Sequence, residues 1–194
     1  AWNRELAAQA VPVGQGRAEW ARLLEPHAGR VYADLADAAD DLAFRYRPRL
    51  KAFQDEVENR DLTAGILAEF DYIGSDEARR GRPLTGVQFD DFEVRLDELD
   101  LRVYGSQGET RTAAISLILA QSDVVYQRRR VRPVLFLDDI FSELDRDRAR
   151  GLQERCARDH QIFIATARAD DVAGWQPDDR RQWRVEDGSL TILP

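Results

Sequence analysis

The chain has 194 residues, 43% apolar and 33% charged, with a formal net charge of −8. That balance argues against disorder and against membrane-spanning segments, and it excludes one broad basic surface, so any nucleic-acid contact needs a local patch. A single cysteine, Cys156, excludes an internal disulfide framework and fits a reducing cytoplasm.

The opening AWNRELAAQA lacks the basic start and apolar core of a signal peptide, and no methionine occurs anywhere. The sequence therefore reads as a piece of a longer protein, cut on its N-terminal side. Residues 1–82 read as mainly helical. Trp20, Leu23, Leu24, Val31, Tyr32 and Leu35 recur at spacings of three and four, an apolar helical stripe. Pro26 lies inside that stripe and is expected to kink or divide the helix. LAFRYRPRL alternates like a short strand, and 52–74 reads as helical again.

After the turn-rich joint RRGRPLTG the pattern changes to alternating elements. FEVRLD and LRVY read as strands, 108–127 as a helix, PVLFLDD as a buried strand, 145–159 as a helix and QIFIAT as a second buried strand. RQWRVEDGSLTIL reads as a hairpin turning at Asp187-Gly188. Continuous apolar runs at 134–137 and 162–165 suggest neighbouring parallel strands buried in a helix-covered sheet, an α/β arrangement.

Two stretches carry chemistry. In VLFLDDIF the apolar run delivers Asp138 and Asp139 to the C-terminal edge of the sheet, where α/β ligand sites form. Asp138 suits Mg²⁺, which keeps several of its waters, and Asp139 suits orienting or deprotonating an attacking water. The bland alternative is a buried strand that stops in an acidic loop. In YGSQGETRTAAISLILAQSD a Gly-Ser-Gln-Gly turn runs directly into a helix with apolar Ala113, Ile115, Leu117, Ile118 and Leu119. Ser106, Gly108 and the first helical amides form a potential anion site. The alternative is an ordinary capped helix start, Ser106 at the cap and Glu109 in the first turn. The fixed order of the two motifs, followed by SELD and then QIFIAT, favours the chemical reading over chance.

That ordered set resembles ABC-type ATPase heads: GSQGETR is similar to their signature, VLFLDD to a Walker B strand and SELD to the D-loop. The version here is similar to the RecF family of the SMC-like ATPase group, in which an aspartate typically stands at the position of Asp139. The resemblance covers most of the chain and is most specific over 85–166. It implies a helical arm at 1–82 and, at 83–194, the C-terminal lobe of an ABC-type head.

By the same resemblance Ser106, Gln107, Gly108 and Glu109 would cap ATP held by a second copy. Asp138 would hold Mg²⁺, Asp139 would act on water, and the D-loop of Ser142, Glu143, Leu144 and Asp145 would reach the dimer interface. The implied function is ATP-dependent homodimerisation on DNA at single-strand gaps, in the cytoplasm, working with RecO and RecR to load RecA. A non-catalytic interaction module of the same build is the alternative.

The sequence also departs from the family. GVQFDD keeps only Gly86, Asp90 and Asp91 of a Gly-Pro-His-Arg-Asp-Asp-like stretch. Thr166-Ala167 stands where many ABC heads carry a switch histidine, and in this it is closer to the RecF family. No G-x-x-x-x-G-K-[ST] run occurs, and Lys51, the only lysine, has no glycines around it. The arginine-rich segments 79–82 and 128–132 read as solvated connectors, Trp175 as a packing anchor, and His27 and His160 as too isolated for a metal or catalytic pair.

Overall fold

The computed structural model describes residues 2–36, 40–54, 61–172, 175 and 179–193. The chain divides into two compact units, Ala1–Arg130 and Val131–Pro194. This division falls elsewhere than the joint expected at residues 82 and 83, and strands from either side of that joint pair in one sheet.

The first unit is built along one long helix, α1 (Trp2–Ala36). Ala7, Ala10, Gly14, Ala21, Leu24, Ala28, Val31, Tyr32 and Leu35 form its buried stripe. Pro26 does not divide it, and Pro12 also lies inside. Each proline removes one ladder donor, and a stripe that packs along three other elements outweighs that local loss. Those elements are β1 (Leu42–Arg47), α2 (Leu62–Arg80) and α4 (Gln107–Arg129).

β1 pairs antiparallel with β2 (Asp91–Leu96), in register from Leu42↔Leu96 to Arg47↔Asp91, and β2 pairs with the short β3 (Leu99–Asp100). Asp61 caps α2 by accepting from the Ala64 amide, and Gly81 ends it with φ of 64°. Ala7, Ala10, Leu50, Ala52 and Ile66 make a small core there, with Phe53 and Phe70 packed against it. Gly14 admits the Phe53 ring, since a Cβ at that position would run into it. The part of the expected 52–74 helix at 55–60 lies outside the described residues.

LRVY is not a strand. Leu101–Tyr104 form a short helix, α3, because Asp97 and Glu98 turn the chain at positive φ and Asp100 then caps the Arg102 amide. The period-2 pattern is present, but local capping overrides it.

In the second unit β4 (Leu135–Asp138) and β5 (Ile162–Ala165) pair in parallel, Leu135↔Ile162 through Asp138↔Ala165. Leu135 and Leu137 are buried, as are Leu152 and Cys156 on α5 (Arg146–Asp159). The expected burial on both faces does not hold. Phe136 is 76% exposed and Phe163 42% exposed, and their rings stack 5.0 Å apart. Among the described residues only the Leu135 and Leu137 face of β4 is buried, so an unbroken apolar run here conceals an alternating strand. β6 (Gln182–Glu186) and β7 (Ser189–Leu193) form the expected hairpin, with Asp187 and Gly188 at φ of 50° and 75°. The Trp175 ring lies 6.2 Å from that of Phe141, as a packing anchor should. No helix among the described residues is long and apolar enough to cross a membrane.

Candidate functional site

The signature turn lies in the first unit, between α3 and α4. Gly105 is required there by space: a Cβ would stand 2.6 Å from the Leu101 carbonyl oxygen and 3.0 Å from Thr110 Oγ1. Ser106 follows in extended conformation and caps α4. The Glu109 amide donates to Ser106 Oγ at 3.3 Å, and the Ser106 amide donates to Glu109 Oε2 at 2.8 Å, a reciprocal capping box. Thr110 Oγ1 donates to the Ser106 carbonyl at 2.9 Å, fixing the turn again. Ser106 and Gln107 are exposed, and Gly108 and Glu109 half-buried. The amides of Gln107 and Gly108 belong to the first turn, which has no intrahelical acceptor. The capped helix start that the sequence offered as one reading is thus present, at the turn where the other reading expects an anion.

Behind the turn, α4 buries polar side chains among its apolar ones. Thr112 Oγ1 donates to the Gly108 carbonyl and Ser116 Oγ to the Thr112 carbonyl, both at 2.7 Å. Each hydroxyl is satisfied within the helix, so the buried face tolerates it. Ile118, one of the apolar residues of this helix, is exposed.

The GVQFDD stretch has a structural role that the sequence did not reveal. The Asp90 carboxylate is buried and accepts from Arg17 Nη1 at 2.7 Å, from the Arg49 amide at 2.8 Å, and from the Tyr46 hydroxyl. Burial, and then Asp90 itself, push the Tyr46 hydroxyl well above its usual range. Asp91 accepts from Arg102 Nη1 at 2.7 Å, and Arg102 Nη2 donates to the Phe92 carbonyl at 2.9 Å. The Arg102 guanidinium holds the Asp91 carboxyl below its ordinary value. Asp91 therefore ties β2 to α3, the helix that leads into the signature turn. Two adjacent aspartates with distant partners leave no local pattern to read.

The carboxylates lie in the second unit. Asp138 ends β4, exposed, beside Ala165 of β5. Asp139 is also exposed and takes a left-handed conformation, φ 48° and ψ 21°. Its amide donates to the Ala165 carbonyl at 2.8 Å, and its carbonyl accepts from Ser142 Oγ at 2.8 Å. Ser142, in the SELD stretch, thus pins the backbone that carries Asp139. Ile140–Glu143 form one 3-10 turn, Leu144 is extended and half-buried, and the Glu143 side chain lies outside the described residues. Asp145 caps α5, accepting from the Arg148 amide at 2.9 Å and pairing with Arg148 Nη1 at 3.2 Å.

No group of three or more His, Cys, Asp or Glu among the described residues gathers to hold a metal. A lone exposed carboxylate such as Asp138 still suits Mg²⁺, which takes one or two carboxylates and completes its shell with water and phosphate oxygens.

No family model matches the chain. Curated relatives do. The DNA replication and repair protein RecF of Ligilactobacillus salivarius is 30% identical over 90% of this chain and 46% of its own length. That of Roseiflexus castenholzii is 31% identical over 97% of this chain and 48% of its own. The chain spans about half the length of the curated relatives it matches. A solved structure of the recombination mediator protein RecF with ATP superposes with a TM-score of 0.80 at 21% identity, over 99% of this chain and 49% of that one. An SMC ATPase, solved in a study of ATP-driven dimerization, shares the fold with a TM-score of 0.50 at 14% identity. The chain is a homologue of the RecF proteins, matching about half of their length, and has the fold of the corresponding part of an ABC-type ATPase head.

Proposed function

We propose that this chain supplies the signature and Walker B portion of a RecF-like, ATP-dependent DNA-binding protein of replication and recombinational repair. In this reading 1–82 act as an arm and 83–194 as the C-terminal lobe of the head. ATP and Mg²⁺ are its ligands, a second copy its partner, and the cytoplasm its place. RecO and RecR are the proteins with which it would serve RecA loading at single-strand gaps. The observation that most supports this is the edge formed by β4 and β5, where parallel register brings Asp138 and Asp139 out together and Ser142 braces Asp139.

The chemistry follows from those residues. Mg²⁺, when bound through Asp138, offsets the negative charge of the phosphates. Asp139 accepts a proton from the attacking water or orients it. The Ser106 hydroxyl and the Gln107 and Gly108 amides, at the positive end of α4, donate to the terminal phosphate of ATP held by the other copy. Asp145 and its neighbours line the approach of that copy.

The test uses the full-length protein. Asp139→Asn keeps the shape and removes the base, so ATP binding and dimerisation persist while turnover falls by ~10²–10⁴-fold. Asp138→Asn weakens Mg²⁺-nucleotide binding itself. Ser106→Arg blocks ATP-driven dimerisation with ATP binding nearly intact. Normal turnover in Asp139→Asn overturns the catalytic assignment.

A further inference from the structure

Helix α3 has only four residues, and a single helical turn does not hold itself together. Of its four side chains only Leu101 is buried, while Val103 and Tyr104 are each 68% exposed. Packing thus fixes α3 at one point. Two further restraints act on Arg102. Its amide donates to Asp100 Oδ1 at 2.9 Å, and its guanidinium reaches back to the start of β2. Nη1 donates to Asp91 Oδ2 at 2.7 Å and Nη2 to the Phe92 carbonyl at 2.9 Å. The other Asp91 oxygen accepts from the Phe92 amide at 2.8 Å, so the carboxylate is itself held in place.

The anchor of this grip is firm. Asp91 stands opposite Arg47 in the β1–β2 register, and beside it buried Asp90 is bound to Arg17 of α1. Its other end leads straight into the signature turn. The Gly105 amide donates to the Leu101 carbonyl at 3.1 Å, and Ser106 is the next residue. A shift of α3 is therefore passed to Ser106 with little slack. The Arg102 and Asp91 side chains are 56% and 58% exposed. An ion pair this exposed adds little stability, so its main effect is to set the angle of α3.

We propose that Arg102, held by Asp91 and the Phe92 carbonyl, is a positioning residue for the signature turn, and that ATP-driven pairing with a second copy depends on it. The inference rests on the reading above, in which Ser106 and the first amides of α4 meet the ATP of the other copy. Arg102 itself touches no phosphate in this account. It acts through α3. A guanidinium suits the task because its planar fork can grip a carboxylate and a carbonyl at once, which an ammonium cannot do in fixed geometry.

The experiment measures dimerisation of the full-length protein by analytical ultracentrifugation with Mg²⁺ and a non-hydrolysable ATP analogue. Analogue affinity of the monomer and melting temperature are read beside it. A two-fold dimer uses the turn twice, so the loss at each site counts twice. Arg102→Gln should lose about threefold per site, hence about tenfold in the dimerisation constant, with monomer affinity and melting temperature unchanged. Asp91→Asn should lose as much, and the double variant no more than either single one. Arg102→Lys should recover part of the loss. Arg47→Gln breaks the ion pair with Glu93 on the same sheet without reaching α3, and it should dimerise as wild type.

Unchanged dimerisation in Arg102→Gln overturns the proposal, and so does an equal loss in Arg47→Gln. A fall in melting temperature and monomer affinity together would make the pair purely structural and overturn it too. If Arg102→Gln loses and Asp91→Asn does not, Arg102 is a direct contact of the second copy and the positioning role is wrong. If Ser106→Arg dimerises like wild type, or wild type does not dimerise, the signature reading falls and this inference with it. If Ser106→Arg blocks dimerisation while Arg102→Gln leaves it unchanged, only this inference falls.

Discussion

Asp139, the residue to which the proposed chemistry falls, holds a left-handed backbone that most residues avoid. A φ of 48° costs most residues roughly 1–2 kcal/mol, and aspartate tolerates it better than alanine does. Glycine adopts it freely. Asp139→Gly should therefore be more stable than Asp139→Ala by about 1 kcal/mol, the reverse of the order these residues show in a helix. Urea unfolding of the two variants measures this, and Asp139→Ala equal to or above Asp139→Gly would deny the left-handed conformation. If activity is lost in both while stability separates them, the carboxylate serves function and the fold needs only the backbone.

At the scale of elements, the start of α4 is capped by the same atoms that the proposed function gives to phosphate. Ser106→Ala removes the acceptor for the Glu109 amide and should cost about 1 kcal/mol. Glu109→Ala removes the return bond and should cost less, because that carboxylate is part-exposed. Chemical denaturation reads both, and equal stability in Ser106→Ala and wild type would rule out the cap.

Helix α5 offers a second handle. Burial pushes the Cys156 thiol up to about 11, with nearby Arg155 opposing weakly. Below the ordinary thiol value of about 8.5, folded and unfolded chains both keep the proton, and the full contribution to stability is present. Between there and 11 the unfolded chain loses the proton first, so stability falls as pH rises. Wild type should lose more stability than Cys156→Ala between pH 8 and pH 10, and parallel losses would contradict the shift.

Elements whose signal is local were legible in the sequence. The apolar stripe gave α1, the Asp187-Gly188 turn the hairpin, and the ordered motifs the capped start of α4 and the parallel pair β4 and β5. What could not be read depends on partners far along the chain. Pro26 is overridden by packing, LRVY by the cap from Asp100, and Asp90 finds Arg17 and Tyr46 only after folding. The Phe136 and Phe163 stack shows the same limit, since a run of apolar residues does not say how many faces a sheet will cover.

For the molecule as a whole, half a site should do no chemistry. The 194-residue chain holds the signature turn and the carboxylate edge but no Gly-x-x-x-x-Gly-Lys run. Phosphoryl transfer draws nearly all its catalysis from positioning and charge stabilisation, and the amides and lysine that cradle β- and γ-phosphates are one of the parts that supply them. Asp138 and Mg²⁺ alone would give weak, unoriented contact. A second copy of the same chain contributes another signature but no cradle, so raising the concentration cannot restore what is missing. The purified chain with ATP and Mg²⁺ should therefore release phosphate no faster than its own Asp139→Asn variant across a wide range of protein concentration. Turnover by wild type above that variant would mean that this chain binds the phosphates through groups other than a P-loop. The positioning that a P-loop supplies would then have to be found among the arginines of these 194 residues.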